Sequence, residues 1–148
     1  MLYSKPCEYA IRALTRLANS PGDSAVGARE IARAEGIPLP VLGKILQELV
    51  RKGLLDSRRG PGGGFRLARR PELILLRDIV AAIDGLDHFM NCVLGLAQCS
   101  EEAPCPLHNS WKELRTRIFE DMDATTLAQM ARAAASKRTL RIKRGRKQ

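Results

Sequence analysis

The pentapeptide GIPLP, Gly36 to Pro40, constrains this chain most. Proline has no backbone N–H and its ring clashes with the preceding turn of a helix. It also pushes the residue before it out of the helical region. One helix must therefore stop near Gly36 and another must start after the prolines. On the N-terminal side, Ala28 to Ala34 reads as a short helix centred on Ile31. On the C-terminal side, Val41 to Lys52 places Leu42, Ile45, Leu46 and Leu49 at i, i+3, i+4 and i+7, one apolar face. Lys44, Gln47, Glu48 and Arg51 lie off that face, and Gly53 stands where a terminating glycine belongs. Two short helices about a tight turn are the grammar of a helix-turn-helix.

The next stretch, DSRRGPGGGFRLARR from Asp56 to Arg70, packs five arginines and four glycines into fifteen residues. LLDS and FRLA read as strands, and RRGPGGG supplies the positive-φ positions of a hairpin loop. A hairpin directly after a helix-turn-helix is a wing. Its glycines let backbone approach a phosphate ladder, and its arginines neutralise phosphates or enter a minor groove. A nucleotide-binding loop is excluded, because no Lys-Ser/Thr follows the glycines and the GxGxxG spacing is missed. The plain alternative is a turn with solvated arginines. Basic residues flanking it at Arg51, Lys52, Arg66, Arg69 and Arg70 weigh against that.

The charge distribution agrees. Residues 1–70 hold 13 Lys/Arg against 6 Asp/Glu, residues 71–136 hold 5 against 10, and residues 137–148 hold 7 against none. A basic front half joined to an acidic second half suggests a polyanion-binding module attached to something else. Aromatics are only 4% of the chain, which disfavours a protein that stacks single-stranded bases. No nucleophile–base pair or carboxylate dyad stands out, so an enzyme is not expected. Lys5, Glu8, Arg12 and Arg16 interrupt the N-terminus, so no signal-peptide core is expected there, and no stretch has the length of a membrane span. The expected compartment is the cytoplasm.

Further helices are expected over Glu8–Ala18, over LRDIVAAIDG, over Trp111 to about Met122, and over Leu127–Ala134 with Thr126 as its cap. Glu8 can pair with Arg12 at i+4. Between Leu86 and Ser110 the chain is irregular and carries C-x6-C-x5-C-x2-H at Cys92, Cys99, Cys105 and His108. Thiolates and imidazole suit zinc, copper(I) or an iron–sulfur cluster. A structural zinc site usually contains a C-x2-C knuckle, absent here, and the wider spacing suits a larger object. Free cysteines and a surface histidine remain alternatives, as does a small thiol or electron-transfer protein. Cys7 reads as a small half-buried residue.

YAIRALTRLA, REIARAEGIPLPVLGKILQELVRKGLLDSRRGPGGGFRLARRPE and LRDIVAAIDG together resemble the Rrf family of bacterial winged helix-turn-helix regulators, in its IscR- and NsrR-like iron–sulfur branches. The likeness spans roughly Ser4 to Ala134, and RRGPGGGF after GLLDS is its most specific part. It implies a homodimer joined by a C-terminal helix and reading a palindromic double-stranded operator. It implies an iron–sulfur cluster on Cys92, Cys99 and Cys105, with His108 as fourth ligand in one branch. In the other branch an acidic residue of the partner subunit's first helix serves, at the position of Glu8. Cys7 beside it is a further alternative. His108 favours 2Fe–2S, and 4Fe–4S stays open. The six-residue gap between the first two cysteines departs from the usual five. So does PLPVLGK, where other members carry polar base-reading residues. Pro40, Val41 and Gly43 make no bidentate base contact, whereas Lys44 and Gln47 can.

The expected fold is mainly α with a small β-hairpin wing: a winged helix-turn-helix at 1–84, a cysteine-rich cluster-binding loop at 85–110, dimerisation helices at 111–135 and a disordered basic tail at 136–148. The expected DNA contacts are Ser4 and Lys5 ahead of the first helix, Lys44, Gln47 and Arg51 on the recognition helix, and Arg58 and Arg59 on the wing. The expected function is a repressor whose operator affinity follows cluster status, sensing redox state, nitric oxide or iron. The alternative is the same fold with a zinc-bound or empty loop.

Overall fold

The computed structural model of the chain describes residues 2–22 and 24–145. Helix α1 spans Lys5–Ala18, α2 Ala28–Glu35 and α3 Leu39–Arg51. The strands β1 (Leu55–Arg58) and β2 (Gly64–Leu67) follow, then α4 (Leu76–Ile83), α5 (His108–Ala124) and α6 (Leu127–Gly145), with short 3-10 turns at Pro71–Leu73 and Asp87–Met90.

Helix α1 begins three residues before its apolar stripe suggests. Ser4 caps it, its Oγ accepting from the Cys7 N–H at 3.1 Å, and Pro6 sits in the first turn, where a missing N–H costs nothing. The Ser4 N–H and hydroxyl both donate to the Asp84 carboxylate at the end of α4, the former at 2.9 Å. Helix α2 ends on Gly36 at φ +62°, a left-handed position that a side chain would strain. Helix α3 buries Leu42, Ile45, Leu46 and Leu49 against Ala10, Ala13 and Leu14 of α1, Ile31 of α2 and Ile79 of α4. Each such aliphatic side chain contributes roughly 1.5–3 kcal/mol on burial.

The hairpin pairs Leu55 with Leu67 and Arg58 with Gly64. It also docks on the body through Val26, whose N–H donates to the Phe65 carbonyl at 2.9 Å and whose carbonyl accepts from the Phe65 N–H at 2.8 Å. Gly64 permits this approach: a Cβ there would lie 2.4 Å from the Val26 carbonyl oxygen. This single bridge, inside a segment that reads only as a break, was not visible in the sequence.

A second, smaller cluster holds Cys7, Val80, Phe89 and Met122, with Trp111, Ile118 and Phe119 of α5 packed on it. Helix α6 starts beside α4. The Leu76 N–H donates to Thr125 (2.8 Å) and the Leu127 N–H to Ile74 (2.7 Å). Thr126 and Gln129 cap α6 reciprocally, Thr126 N–H to Gln129 Oε1 at 2.8 Å and Gln129 N–H to Thr126 Oγ1 at 3.2 Å.

Two expectations are corrected. Helix α5 starts at His108 rather than Trp111. The basic tail expected to be disordered from residue 136 continues α6 as far as Gly145; residues 146–148 lie outside the described residues. Lys, Arg and Ala are good helix formers even without an apolar stripe. The helix is also anchored upstream by the buried Leu127, Ala128 and Ala131 and fastened by an Arg138–Glu35 ion pair. Among the described residues no helix is long and apolar enough to cross a membrane.

Candidate functional site

The outward stripe of α3 carries Lys44, Gln47 and Arg51, all exposed. Lys44 makes no ion pair among the described residues, whereas Arg51 is bound by its own helix. Its guanidinium grips Glu48 bidentately, Nε to Oε2 at 3.0 Å, and holds that carboxyl below the usual carboxylate range. Arg51 therefore reaches a phosphate only by releasing Glu48.

The wing presents Arg58 and Arg59 at its turn. Both are exposed and neither makes an ion pair among the described residues. The turn is tight enough that a Cβ on Gly63 would sit 2.4 Å from the Arg58 carbonyl oxygen. Arg66 and Arg70, by contrast, lean toward Asp56 (3.7 Å) and Glu72 (3.6 Å). At the start of α1, Lys5 pairs with Glu8 at 2.8 Å and lies over the Tyr9 ring, 5.4 Å from its centroid. Ser4 is exposed, but its hydroxyl is engaged as cap and as donor to Asp84. Glu8 thus pairs with Lys5 and not with Arg12. Arg12 turns instead to the end of α2, donating to the Glu35 carbonyl with its Nε 3.7 Å from the Glu35 carboxylate.

The cysteine loop brings one pair of its four candidate donors into contact. The backbone of Leu94 and Leu96 and the Cys105 side chain hold the Cys92 thiol below its ordinary value. Cys99 Sγ lies 3.3 Å from His108 Nδ1. His108 is buried at the first residue of α5, 5% exposed. Its Nε2 is 3.3 Å from Glu101 Oε2 yet lacks hydrogen-bond geometry, so this buried nitrogen has no hydrogen-bond partner among the described residues. Lys112, then His108, hold the Glu101 carboxyl below the usual range. Trp111 Nε1–H donates to the Asn91 carbonyl at 3.0 Å and pins the start of the loop to α5. Sequence reasoning missed Glu101 and Trp111, because neither spacing nor composition marks an Asn91 carbonyl or an acid nine residues past Cys92 as a partner.

All four cysteines are free thiols, and among the described residues no three His, Cys, Asp or Glu side chains converge closely enough to hold one metal ion. Cys7 is fully buried in its own subunit, and burial, with Asp84 and Glu8 nearby, pushes its pKa up to about 12. The sulfur packs in the smaller apolar cluster with Val80, Phe89 and Met122. Glu8, half-buried and held by Lys5, remains on the surface of α1.

A helix-turn-helix, a basic hairpin docked beside it and a thiol-bearing loop against the following helix define a winged-helix DNA-binding transcriptional regulator. Residues 3–133 match the Rrf2 family, described as iron-dependent transcriptional regulators, and the chain belongs to that family. It is 37% identical over 129 residues to an HTH-type transcriptional regulator of Aquifex aeolicus, covering 86% of this chain and 89% of that one. It is 30% identical over 122 residues to IscR of Aliivibrio salmonicida, covering 82% and 72%. Among solved structures it superposes on CymR, the global cysteine regulator of B. subtilis, with TM-score 0.75 and 25% identity over 88% of this chain and 95% of that one. T. potens IscR gives TM-score 0.70 and 28% identity, over 88% and 86%. These relatives are regulators, and the chain is not an enzyme.

Proposed function

We propose that this regulator acts in the cytoplasm as a homodimer and repressor, binding a palindromic operator with an affinity set by an iron–sulfur cluster on Cys92, Cys99, Cys105 and His108. The observation that carries this reading is the contact of two soft donors, Cys99 Sγ 3.3 Å from His108 Nδ1, in a loop that also holds Cys92 and Cys105. The buried Nε2 of His108, with the Glu101 carboxylate at 3.3 Å beside it, adds a further donor atom. When bound, the cluster supplies a centre that changes on oxidation, on attack by nitric oxide or on iron loss.

The chain's own residues do the rest. Lys44 and Gln47 face the major groove, Arg58 and Arg59 the minor groove or flanking phosphates, and Lys5 a backbone phosphate. Ser4 holds the start of α1, and so Lys5, in place. Trp111 fixes the loop to α5, the helix proposed to meet the partner subunit, so a change in loop order alters the spacing of the two reading heads. This is a coupling between two sites, which needs different operator affinities in the two cluster states.

A second reading keeps the fold and the DNA contacts but leaves the loop without a cluster. It rests on the likeness to CymR, a cysteine regulator. Anaerobic purification decides between them. Brown protein holding iron and sulfide, with operator affinity that differs between holo and apo forms, supports the cluster. Colourless protein, or equal affinity in both forms, refutes it.

A further inference from the structure

Gly43 lies in the middle of α3 and nothing in the fold requires it. Its backbone is ordinary right-handed helix, and a Cβ added there meets no atom within 4 Å. A glycine inside a helix loses stability relative to alanine, so its presence calls for a reason outside the folded chain. It falls on the outward stripe with Pro40, Lys44, Gln47 and Arg51, opposite the buried Leu42, Ile45, Leu46 and Leu49. Together with Pro40, Lys44 and Gln47 it lines a shallow hollow on that face.

The first turn of the same helix is apolar and open to solvent. Leu39 is 36% exposed and Val41 39%, and Pro40 has no N–H to offer. The reading face thus starts with carbon, continues with a missing side chain and only then reaches the polar Lys44 and Gln47. In a major groove the apolar group presented by base edges is the 5-methyl of thymine. We infer that the hollow at Gly43, walled by Pro40, Lys44 and Gln47, receives thymine methyl groups and selects T·A steps beside the bases read by Lys44 and Gln47. The absent Cβ sets how deeply the helix sits. This inference rests on the DNA-reading role of α3 proposed above.

The test begins with operator selection from random duplexes by the full-length protein, kept anaerobic. Thymines in each selected half-site are then replaced singly by deoxyuridine, which deletes only the methyl. At the one or two positions facing the hollow, binding is expected to weaken about fourfold per methyl, with no change elsewhere. Gly43→Ala is expected to melt a few degrees higher than wild type and yet bind the selected operator at least tenfold more weakly. Pro40→Ala, which removes a wall of the hollow and keeps the helix, is expected to shrink the deoxyuridine penalty. A selected operator insensitive to deoxyuridine at every position, or Gly43→Ala binding like wild type, overturns this inference alone. A protein that enriches no sequence overturns the DNA-reading role and this inference with it.

Discussion

Ser4→Ala removes a hydroxyl that serves two elements at once. As cap it accepts from the Cys7 N–H, and capping residues of this kind contribute about 1 kcal/mol. As donor it ties α1 to the Asp84 carboxylate at the end of α4, a charge-assisted bond worth roughly 1 kcal/mol at a site open to water. The backbone N–H of Ser4 keeps its own 2.9 Å bond to Asp84. The expected loss is about 2 kcal/mol, and a melting temperature lowered by about 8 °C at roughly 4 °C per kcal/mol for a chain of this size. Asp84→Ala leaves the cap intact but loses both bonds from Ser4 and should cost about 2 kcal/mol. The double variant should cost about 3 and not 4 kcal/mol, because the tie is lost only once; the coupling of about 1 kcal/mol is the signature. Urea unfolding of the four proteins measures it. Additive losses, or Ser4→Ala within 1 °C of wild type, with the threshold set at roughly a quarter of a kcal/mol, would refute the shared role.

Leu46→Ala empties a fully buried site of the main core and should cost about 2–5 kcal/mol, read as a lowered urea midpoint. Cys99→Ala should abolish anaerobic iron and sulfide retention while size-exclusion elution stays that of wild type. Arg59→Ala should weaken operator binding and lower the slope of log affinity against log salt by about one, with cluster content unchanged. The Cys7 thiol is raised to about 12 in the folded chain from an ordinary value near 9, so between those values the folded state holds the proton that the unfolded state has lost. Its contribution is complete below pH 9 and falls as pH rises toward 12, by roughly 1.4 kcal/mol per unit. Cys7→Ala should therefore unfold less steeply than wild type between pH 9 and 11. Native Cys7 should also resist alkylation at pH 8 until denaturant is added.

Periodicity made the reading head legible. Leu42, Ile45, Leu46 and Leu49 face inward as the 3.6-residue pattern requires, and the prolines and Gly36 mark the turn. The hairpin was legible from its glycines, and its docking bridge was not, since Val26 stands alone among small and polar residues and long-range pairing leaves no local trace. The start of α5 was missed because Leu107 offers no capping side chain. The full run of α6 was missed because charge without an apolar stripe reads as disorder, although the same residues propagate a helix once its first turns are buried. The donors of the cysteine loop were legible as types. The contact of Cys99 with His108 depends on how the chain crosses back onto α5, which spacing does not encode.

The Glu35 carboxylate, only 8% exposed, is gripped by Arg138 from α6 while Arg12 of α1 stands close on the other side. This clasp makes the C-terminal helix a splint for the first helix of the reading pair. Strain entering α6 would pass through that clasp to α2 and so to the grip itself. Arg138→Ala would release that lever.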